Sequence, residues 1–215
     1  DLTKQLRKEV LFLGNPFMDV FSDKNKIRDN SFNIALLPGS RSPELINNFM
    51  IMIAVLENLS EYKYFETVKF NFALTKEFKL QKLKEILYDK NWKLFEQKSD
   101  SNLIVFIYKY ITVEFKWNSF TKVLEECDLV ISMAGTAAEQ ATGLGKPVVQ
   151  IEGKGPQFTK SFAEAQRRLL GKFIFCSTHF KTKSQQIKLT IDLILRVMYL
   201  IALNKNFLSA CKRNG

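Results

Sequence analysis

Short apolar runs alternate along the chain with longer segments in which apolar residues recur at helical spacing. The apolar runs predict strands at residues 10–13, 34–37, 65–74, 103–107, 111–115, 129–131, 148–151 and 173–176. The helical spacing predicts helices at residues 43–59, 76–88, 119–126, 137–144, 158–170, 184–203 and 206–212. Strands separated by helices of ordinary length predict an α/β fold with a doubly wound, mainly parallel sheet covered on both faces.

One strand–turn–helix–strand unit spans residues 128–155. Its turn contains the small residues Ala134, Gly135 and Thr136. Thr136 followed by Glu139 has the spacing of a capping box, which predicts that Thr136 is the N-cap of the helix. A unit of this length implies a parallel crossover, so the turn is expected at the carboxyl end of the first strand. The amino terminus of the helix there offers N–H groups to an anion.

A second turn of the same kind follows the strand at residues 34–37. Both turns follow a strand and precede a helix, so both are expected at the same edge of the sheet. Gly39 and Gly135 permit close backbone approach, Ser40 and Thr136 offer hydroxyl groups, and the Arg41 guanidinium offers two parallel donors. Together the two turns are suited to hold a diphosphate.

Two polar residues of the helix after Thr136 are candidates to bind the hydroxyl groups of a ribose. They are Glu139 and Gln140, about 100° apart around the helix. A cap for Glu139 and a surface amide for Gln140 are the structural alternatives. The spacing leaves open which of the two faces a ligand.

Composition limits the partners and the chemistry. The 215 residues, 46% of them hydrophobic, suffice for one large domain, and the net charge of +10 favours anionic partners. Three widely separated cysteines and a single histidine, His179, argue against a metal site and favour a reducing, cytoplasmic compartment. No signal peptide is evident, and Lys188, Asp192 and Arg196 interrupt the longest apolar segment, which therefore predicts an amphipathic or core helix.

Three ordered motifs carry a resemblance to a known family. They are Phe12-Leu13-Gly14-Asn15-Pro16-Phe17; Leu37-Pro38-Gly39-Ser40-Arg41 followed by Glu44; and Ser132-x-Ala134-Gly135-Thr136-Ala137-Ala138 followed by Pro147-Val148-Val149. The chain resembles lipid-A-disaccharide synthase, a glycosyltransferase of the GT-B fold. The segment 134–171, with GTAAEQATGLGKPVVQ and FAEAQRRLLG, is most similar to the related proteins of cyanobacteria.

The resemblance implies a Rossmann-like domain that binds the UDP-sugar donor, with residues 1–30 as interdomain turn and linker and residues 31–215 as the donor domain. Gly39, Ser40, Arg41, Gly135 and Thr136 would contact phosphate, and the turn Trp117-Asn118-Ser119 would lie at the uracil. The family transfers a UDP-activated acylglucosamine to a lipid-linked acceptor in lipid A biosynthesis and needs no cofactor. The acceptor would bind an amino-terminal domain, without which this chain alone is expected to be inactive.

Two departures keep other functions open. Asn15 stands where the family has histidine, and Gln140 stands where it has glutamate. A non-catalytic glycosyltransferase-like module is therefore an alternative. A protein like UDP-N-acetylglucosamine epimerase is a further alternative, disfavoured because the chain lacks the richness in carboxylates and histidines expected of one. Nucleic acid is not expected as a partner, because the aromatic residues fall mostly in predicted strands and core helices and are not interleaved with basic residues on an exposed face. A lipid-linked acceptor would place the protein at an anionic membrane surface as a peripheral protein, and a homodimer is compatible with the sequence.

Overall fold

A computed structural model describes residues 31–97, 102–153, 160–178, 180–203 and 205–214, which form one eight-stranded sheet with helices packed on both faces. The strands are β1 (Phe32–Leu37), β2 (Val68–Leu74), β3 (Lys93–Gln97), β4 (Leu103–Tyr108), β5 (Ile111–Trp117), β6 (Leu129–Ser132), β7 (Val148–Ile151) and β8 (Ile174–Ser177). The α-helices are α1 (Glu44–Leu59), α2 (Leu80–Asp89), α3 (Phe120–Glu126), α4 (Gly135–Gly143), α5 (Lys160–Leu170), α6 (Lys183–Leu203) and α7 (Lys205–Asn214). The expected strand at residues 10–13, the Gly14-Asn15-Pro16 turn, the linker to residue 30 and His179 lie outside the described residues.

The order of the strands confirms the predicted doubly wound sheet. The order is β3-β4-β5-β2-β1-β6-β7-β8, and all neighbours from β5 to β8 are parallel. Strands β3 and β4 form an antiparallel extension at one edge. The sequence predicts β4 and β5 but not β3, a five-residue edge strand whose side chains are mostly exposed.

Alternate residues of β1 enter two separate hydrophobic cores. Ile34 and Leu36 belong to the larger core, which α1, α2, α6 and α7 cover. Ala35 and Leu37 point into the smaller core, where residues of α3 and α4 pack against the other face. Because both faces are covered, the central strands are apolar along almost their whole length.

The predicted strand at residues 65–74 begins too early. A 3₁₀ helix, Lys63–Thr67, precedes β2, and every residue of β2 except Lys69 is buried. Strand β2 is therefore buried on both faces, although its sequence alternates in the way expected of a strand with one exposed face. Helix α2 also begins later than predicted, because the N–H of Phe78 bonds the carbonyl of Thr75 in a turn (3.0 Å).

The predicted capping box at Thr136 is wrong. Helix α4 begins at Gly135, its N-cap is Ala134, and no side-chain cap is present. The hydroxyl oxygen of Ser132 instead accepts the Ala134 N–H (3.0 Å) and donates to the Ala134 carbonyl (3.0 Å). This turn brings the backbone into the helix one residue before Thr136, which leaves Thr136 exposed in the first helical turn.

Candidate functional site

The two glycine-containing turns leave neighbouring strands at the same edge of the sheet. In the parallel register Leu37 lies opposite Ser132, and the N–H of Met133 bonds the carbonyl of Leu37 (2.9 Å). The loops after β1 and β6 therefore run side by side, as predicted. A cavity of about 560 Å³ opens between them and the ends of β2 and β5.

Most of the predicted binding residues line this cavity. They are Gly39, Ser40, Arg41, Asn118, Ala134, Gly135, Thr136 and Gln140. Trp117 and Glu139 are not among its lining residues. The sequence did not point to Asn48, Thr75 or Lys76, which also face it.

Backbone conformation explains the residue type at two lining positions. Gly39 has φ +103°, a conformation that side chains rarely permit, although a Cβ atom there would find its nearest neighbour only at 3.9 Å. Backbone strain rather than crowding therefore favours glycine at this position. Asn118 has φ +52°, in the left-handed region that asparagine tolerates better than most residues.

Two helices begin at the cavity without side-chain caps. Pro43 precedes α1 and Ala134 precedes α4, and neither of these N-cap residues makes a side-chain capping hydrogen bond. The first N–H groups of a helix have no partner within the helix and carry its positive dipole end. Both helix starts can therefore donate to an anionic ligand, although the N–H of Leu45 in the first turn of α1 bonds the carbonyl of Arg41 (2.8 Å).

The charged side chains at the cavity have a positive excess. Arg41 follows β1 and Lys76 follows the neighbouring strand β2, while Glu44 is the acidic residue among those that line the cavity. Lys76 and Arg41 are exposed, so their side chains can reorient toward a ligand. The hydroxyl oxygen of Thr75 is buried and has no partner among the described residues, which makes it a further donor for a ligand.

A buried amide joins the two loops. The side chain of Asn48, 3% exposed, donates from Nδ2 to the carbonyl of Pro38 (2.9 Å) and to that of Met133 (3.5 Å). Asn48 lies on α1 between the buried residues Leu45 and Phe49. A polar residue within the apolar stripe of an amphipathic helix is the sequence signal that could have identified it.

The helix after Gly135 presents one of the two ribose candidates to the cavity. Gln140 lines the cavity and Glu139 does not. The difference follows from helix geometry, because adjacent residues point about 100° apart.

Trp117 lies at a second, neighbouring cavity of about 400 Å³. The two cavities share Lys76 and Asn118. The indole N–H of Trp117 donates to the carbonyl of Phe78 (2.8 Å), which holds the ring beside β5. The sequence-based prediction groups Trp117 and Asn118 at the uracil. In the structure Trp117 lines only the second of these two cavities, whereas Asn118 lines both.

Buried polar side chains of β7 and α5 form a network that contacts the first residue of α4. Gln150 of β7 donates from its Nε2 to Oε1 of Gln166 on α5, and Nε2 of Gln166 donates to the carbonyl of Gly135 (3.2 Å). The thiol of Cys176 lies 3.7 Å from Oε1 of Gln150 as a donor. Burial raises the pKa of Cys176 to about 11, although Arg167 opposes this shift, so the thiol is protonated near neutral pH.

Among the described residues, no helix combines the length and the apolar character required to cross a bilayer.

Comparison with solved structures shows the fold. The chain is similar to UDP-GlcNAc 2-epimerase from Neisseria meningitidis bound to UDP-GlcNAc, with a TM-score of 0.52 and 12% identity over 85% of this chain and 40% of that one. It is also similar to the spinosyn rhamnosyltransferase SpnG complexed with thymidine diphosphate (TM-score 0.50, 17% identity, 87% of this chain and 41% of that one) and to TarM (0.50, 18%, 90% and 34%).

No family model and no curated protein matches the chain. The chain spans less than half the length of these three structures. At such low identity the similarity establishes architecture alone: the described sheet is a Rossmann-like domain of the kind found in GT-B proteins.

Proposed function

We propose that this chain is the donor-binding domain of a GT-B glycosyltransferase and binds a UDP-sugar through the two loops after β1 and β6. The observation that carries the proposal is the shared cavity between these loops. It combines two uncapped helix starts with the cations Arg41 and Lys76. Uncapped N–H groups and a positive excess are the features that a diphosphate requires.

The adjoining cavity supports the orientation of the nucleotide. A diphosphate between the Gly39 and Gly135 loops would leave room for the base toward Asn118 and Trp117, where the second cavity begins. The apolar surface of Trp117 is suited to a planar base, and the Gln140 amide oxygen would accept a hydrogen bond from a ribose hydroxyl. We assign Gln140 rather than Glu139 to the ribose.

The contribution of this domain to transfer is electrostatic. When the bond between the sugar and the diphosphate breaks, negative charge develops on the diphosphate. Arg41, Lys76 and the helix starts, which line the cavity, would stabilise that charge in the leaving group. A second domain would have to supply the acceptor and any general base.

The motif resemblance supports a narrower substrate. Pro38-Gly39-Ser40-Arg41 with Glu44, and the segment 132–138, resemble lipid-A-disaccharide synthase. An acylated glucosamine as the sugar and a lipid-linked acceptor follow from that resemblance. Such an acceptor predicts binding to anionic lipid vesicles that weakens as salt rises, because the net charge is +10. Binding that does not depend on salt would contradict it.

Calorimetric titration with UDP tests the donor site. The wild-type chain is expected to bind UDP, and Arg41→Ala and Thr136→Ala are each expected to weaken binding by about tenfold, since each removes a donor to a charged phosphate. Arg196→Ala, which removes an exposed arginine on α6, is the control and should leave affinity unchanged. Undetectable binding of millimolar UDP by the wild type would falsify the proposal.

Epimerisation is the second candidate, because UDP-GlcNAc 2-epimerase has the same fold. Proton NMR of UDP-N-acetylglucosamine with the full-length polypeptide separates the two activities. Inversion at C2 without an acceptor would support the epimerase. Transfer that requires an acceptor would support the glycosyltransferase, and a full-length protein that does neither would support a non-catalytic binding module.

A further inference from the structure

We infer that Asn48 and Gln166 are positioning residues, which hold the two cavity loops so that the backbone N–H groups of Gly39 and Thr136 point toward the ligand. The inference rests on the proposed diphosphate site. It adds two buried amides whose side-chain donors bond loop carbonyls, and which would act through the peptide groups that contact the nucleotide.

The first amide acts on the loop after β1. Nδ2 of Asn48 holds the carbonyl oxygen of Pro38 at 2.9 Å. In a planar trans peptide the C=O and the N–H of the next residue point in opposite directions. The N–H of Gly39 is therefore directed away from the Asn48 side chain, and it bonds no backbone carbonyl among the described residues.

The same side chain fixes the spacing between the loops. Its second contact, to the carbonyl of Met133 at 3.5 Å, lies just after β6. The amide nitrogen of one buried side chain thus donates to a carbonyl in each loop. Loss of its nitrogen would leave two carbonyl groups without this donor and would remove a link between the loops beyond the backbone bond of Met133 to Leu37.

The second amide acts on α4. Nε2 of Gln166 holds the carbonyl of Gly135 at 3.2 Å, and Gln150 in turn fixes the oxygen end of the Gln166 amide. The same peptide geometry orients the N–H of Thr136, the next residue in the uncapped first turn. Gln166 is 3% exposed and Gln150 is 1% exposed, so water cannot easily substitute for either amide.

Burial supports a positioning role over a merely stabilising one. A buried amide that only filled space would be replaced without loss by an apolar side chain of similar volume. Both amides instead contact the carbonyls that immediately precede candidate phosphate donors. The loops themselves contain Gly39 and Gly135, whose backbone is not restrained by a side chain of its own.

The test compares UDP with uridine, which lacks the diphosphate, by NMR titration of the chain. Asn48→Leu and Gln166→Leu are each expected to weaken UDP binding by about tenfold or more and to change uridine binding by less than about twofold. In the wild type, UDP should shift the amide proton signals of Gly39 and Thr136 downfield, and each variant should reduce the shift of its own amide.

Two matched controls separate positioning from general damage. Asn58→Leu removes an asparagine from the same helix, where its Nδ2 donates to Ala54 at the surface. Gln186→Leu removes a glutamine as buried as Gln166, which donates to the carbonyl of Glu152 away from the cavity lining. Both controls should bind UDP like the wild type.

The outcomes separate the two proposals. Wild-type affinity in folded Asn48→Leu and Gln166→Leu, or equal losses for UDP and uridine, would overturn the positioning inference and leave the donor site intact. A wild-type chain that does not bind UDP would overturn the proposed function and the inference with it. Should Asn48→Leu fail to fold, Asn48→Ser, which is too short to reach both carbonyls, carries the same expectation.

Discussion

A Cβ atom added to Gly145 would lie only 2.6 Å from the Cα atom of Lys212. Gly145 follows the end of α4 with φ +68°, and the backbone of α7 packs directly against it. Helix α4 is thereby held at both ends: Gln166 contacts its first residue, and the last helix of the chain closes on the turn after it. The packing of α7 therefore bears on the position of the helix start that faces the cavity.

Gly145→Ala should destabilise the protein by about 2–4 kcal/mol, because it adds left-handed backbone strain to a steric clash with a backbone atom. Urea unfolding measures the loss as a lower midpoint with an unchanged slope. Gly145→Asn is the matched comparison, since asparagine tolerates the positive φ better but carries the same Cβ atom. Wild-type stability for the asparagine variant would show that backbone strain alone, and not the close approach of α7, accounts for the effect.

The ribose assignment predicts different results for two adjacent residues. Gln140→Leu should weaken UDP binding several-fold and should change the binding of 2′-deoxy-UDP less, because the hydroxyl that Gln140 would bond is absent from that ligand. Glu139→Leu should change neither, since Glu139 does not line the cavity. Titration of both variants with both nucleotides measures the effect. A larger loss in the Glu139 variant would reverse the assignment.

The fluorescence of Trp117 should change when a base occupies the second cavity, which Trp117 lines. The two tryptophans of the chain lie in different surroundings: Trp117 lines the second cavity, while Trp92 is buried and donates from its indole N–H to Glu57 (3.2 Å). We expect UDP to change the emission of the wild type and of Trp92→Phe. The change should be absent in Trp117→Phe. A signal that survives in Trp117→Phe would place the base elsewhere.

The sequence predicted the arrangement of the loops because that arrangement depends on local rules. An apolar run, a glycine turn and an amphipathic helix identify a strand–loop–helix unit, and parallel pairing brings such loops to one edge. The sequence could not decide between Glu139 and Gln140, because that choice depends on the rotation of α4 against β6. The same rule could have identified Thr75 and Lys76 as cavity residues, since they follow the parallel strand β2. It did not, because the predicted helix began at Lys76.

Other features depend on contacts between residues far apart in sequence. Asn48 reaches Met133 across 85 positions, and Gln166 reaches Gly135 across 31. Neither partner is specified by local periodicity. The start of α4 was mispredicted for a local reason: the Ser132 hydroxyl bonds the backbone of Ala134 two residues on and organises the turn, although Thr136 has the better capping spacing. Edge strand β3 has little apolar patterning because most of its side chains face solvent.

Cys176 offers a test of the polar network behind α4. Burial raises the pKa of its thiol to about 11 from an ordinary value of 9.0. At pH 8 the thiolate fraction is thus about 100-fold below that of an ordinary thiol, and alkylation by iodoacetamide should slow in proportion. Because the pKa is raised in the folded state, the associated stability is present below about pH 9 and is lost as pH rises to about 11.

The measurement is the rate of Cys176 alkylation in brief pulses from pH 8 to pH 11, followed by peptide mass spectrometry. The rate should still be rising at pH 10 in the folded protein. In urea the same peptide should show the ordinary inflection near 9, which serves as the control. Gln150→Leu removes the acceptor 3.7 Å from the thiol but keeps the site apolar, so the rate should still be rising at pH 10 in this variant, because burial is the main cause of the raised pKa. A folded-state inflection near 9 would show that solvent reaches Cys176 and that the network is more open than its buried amides imply.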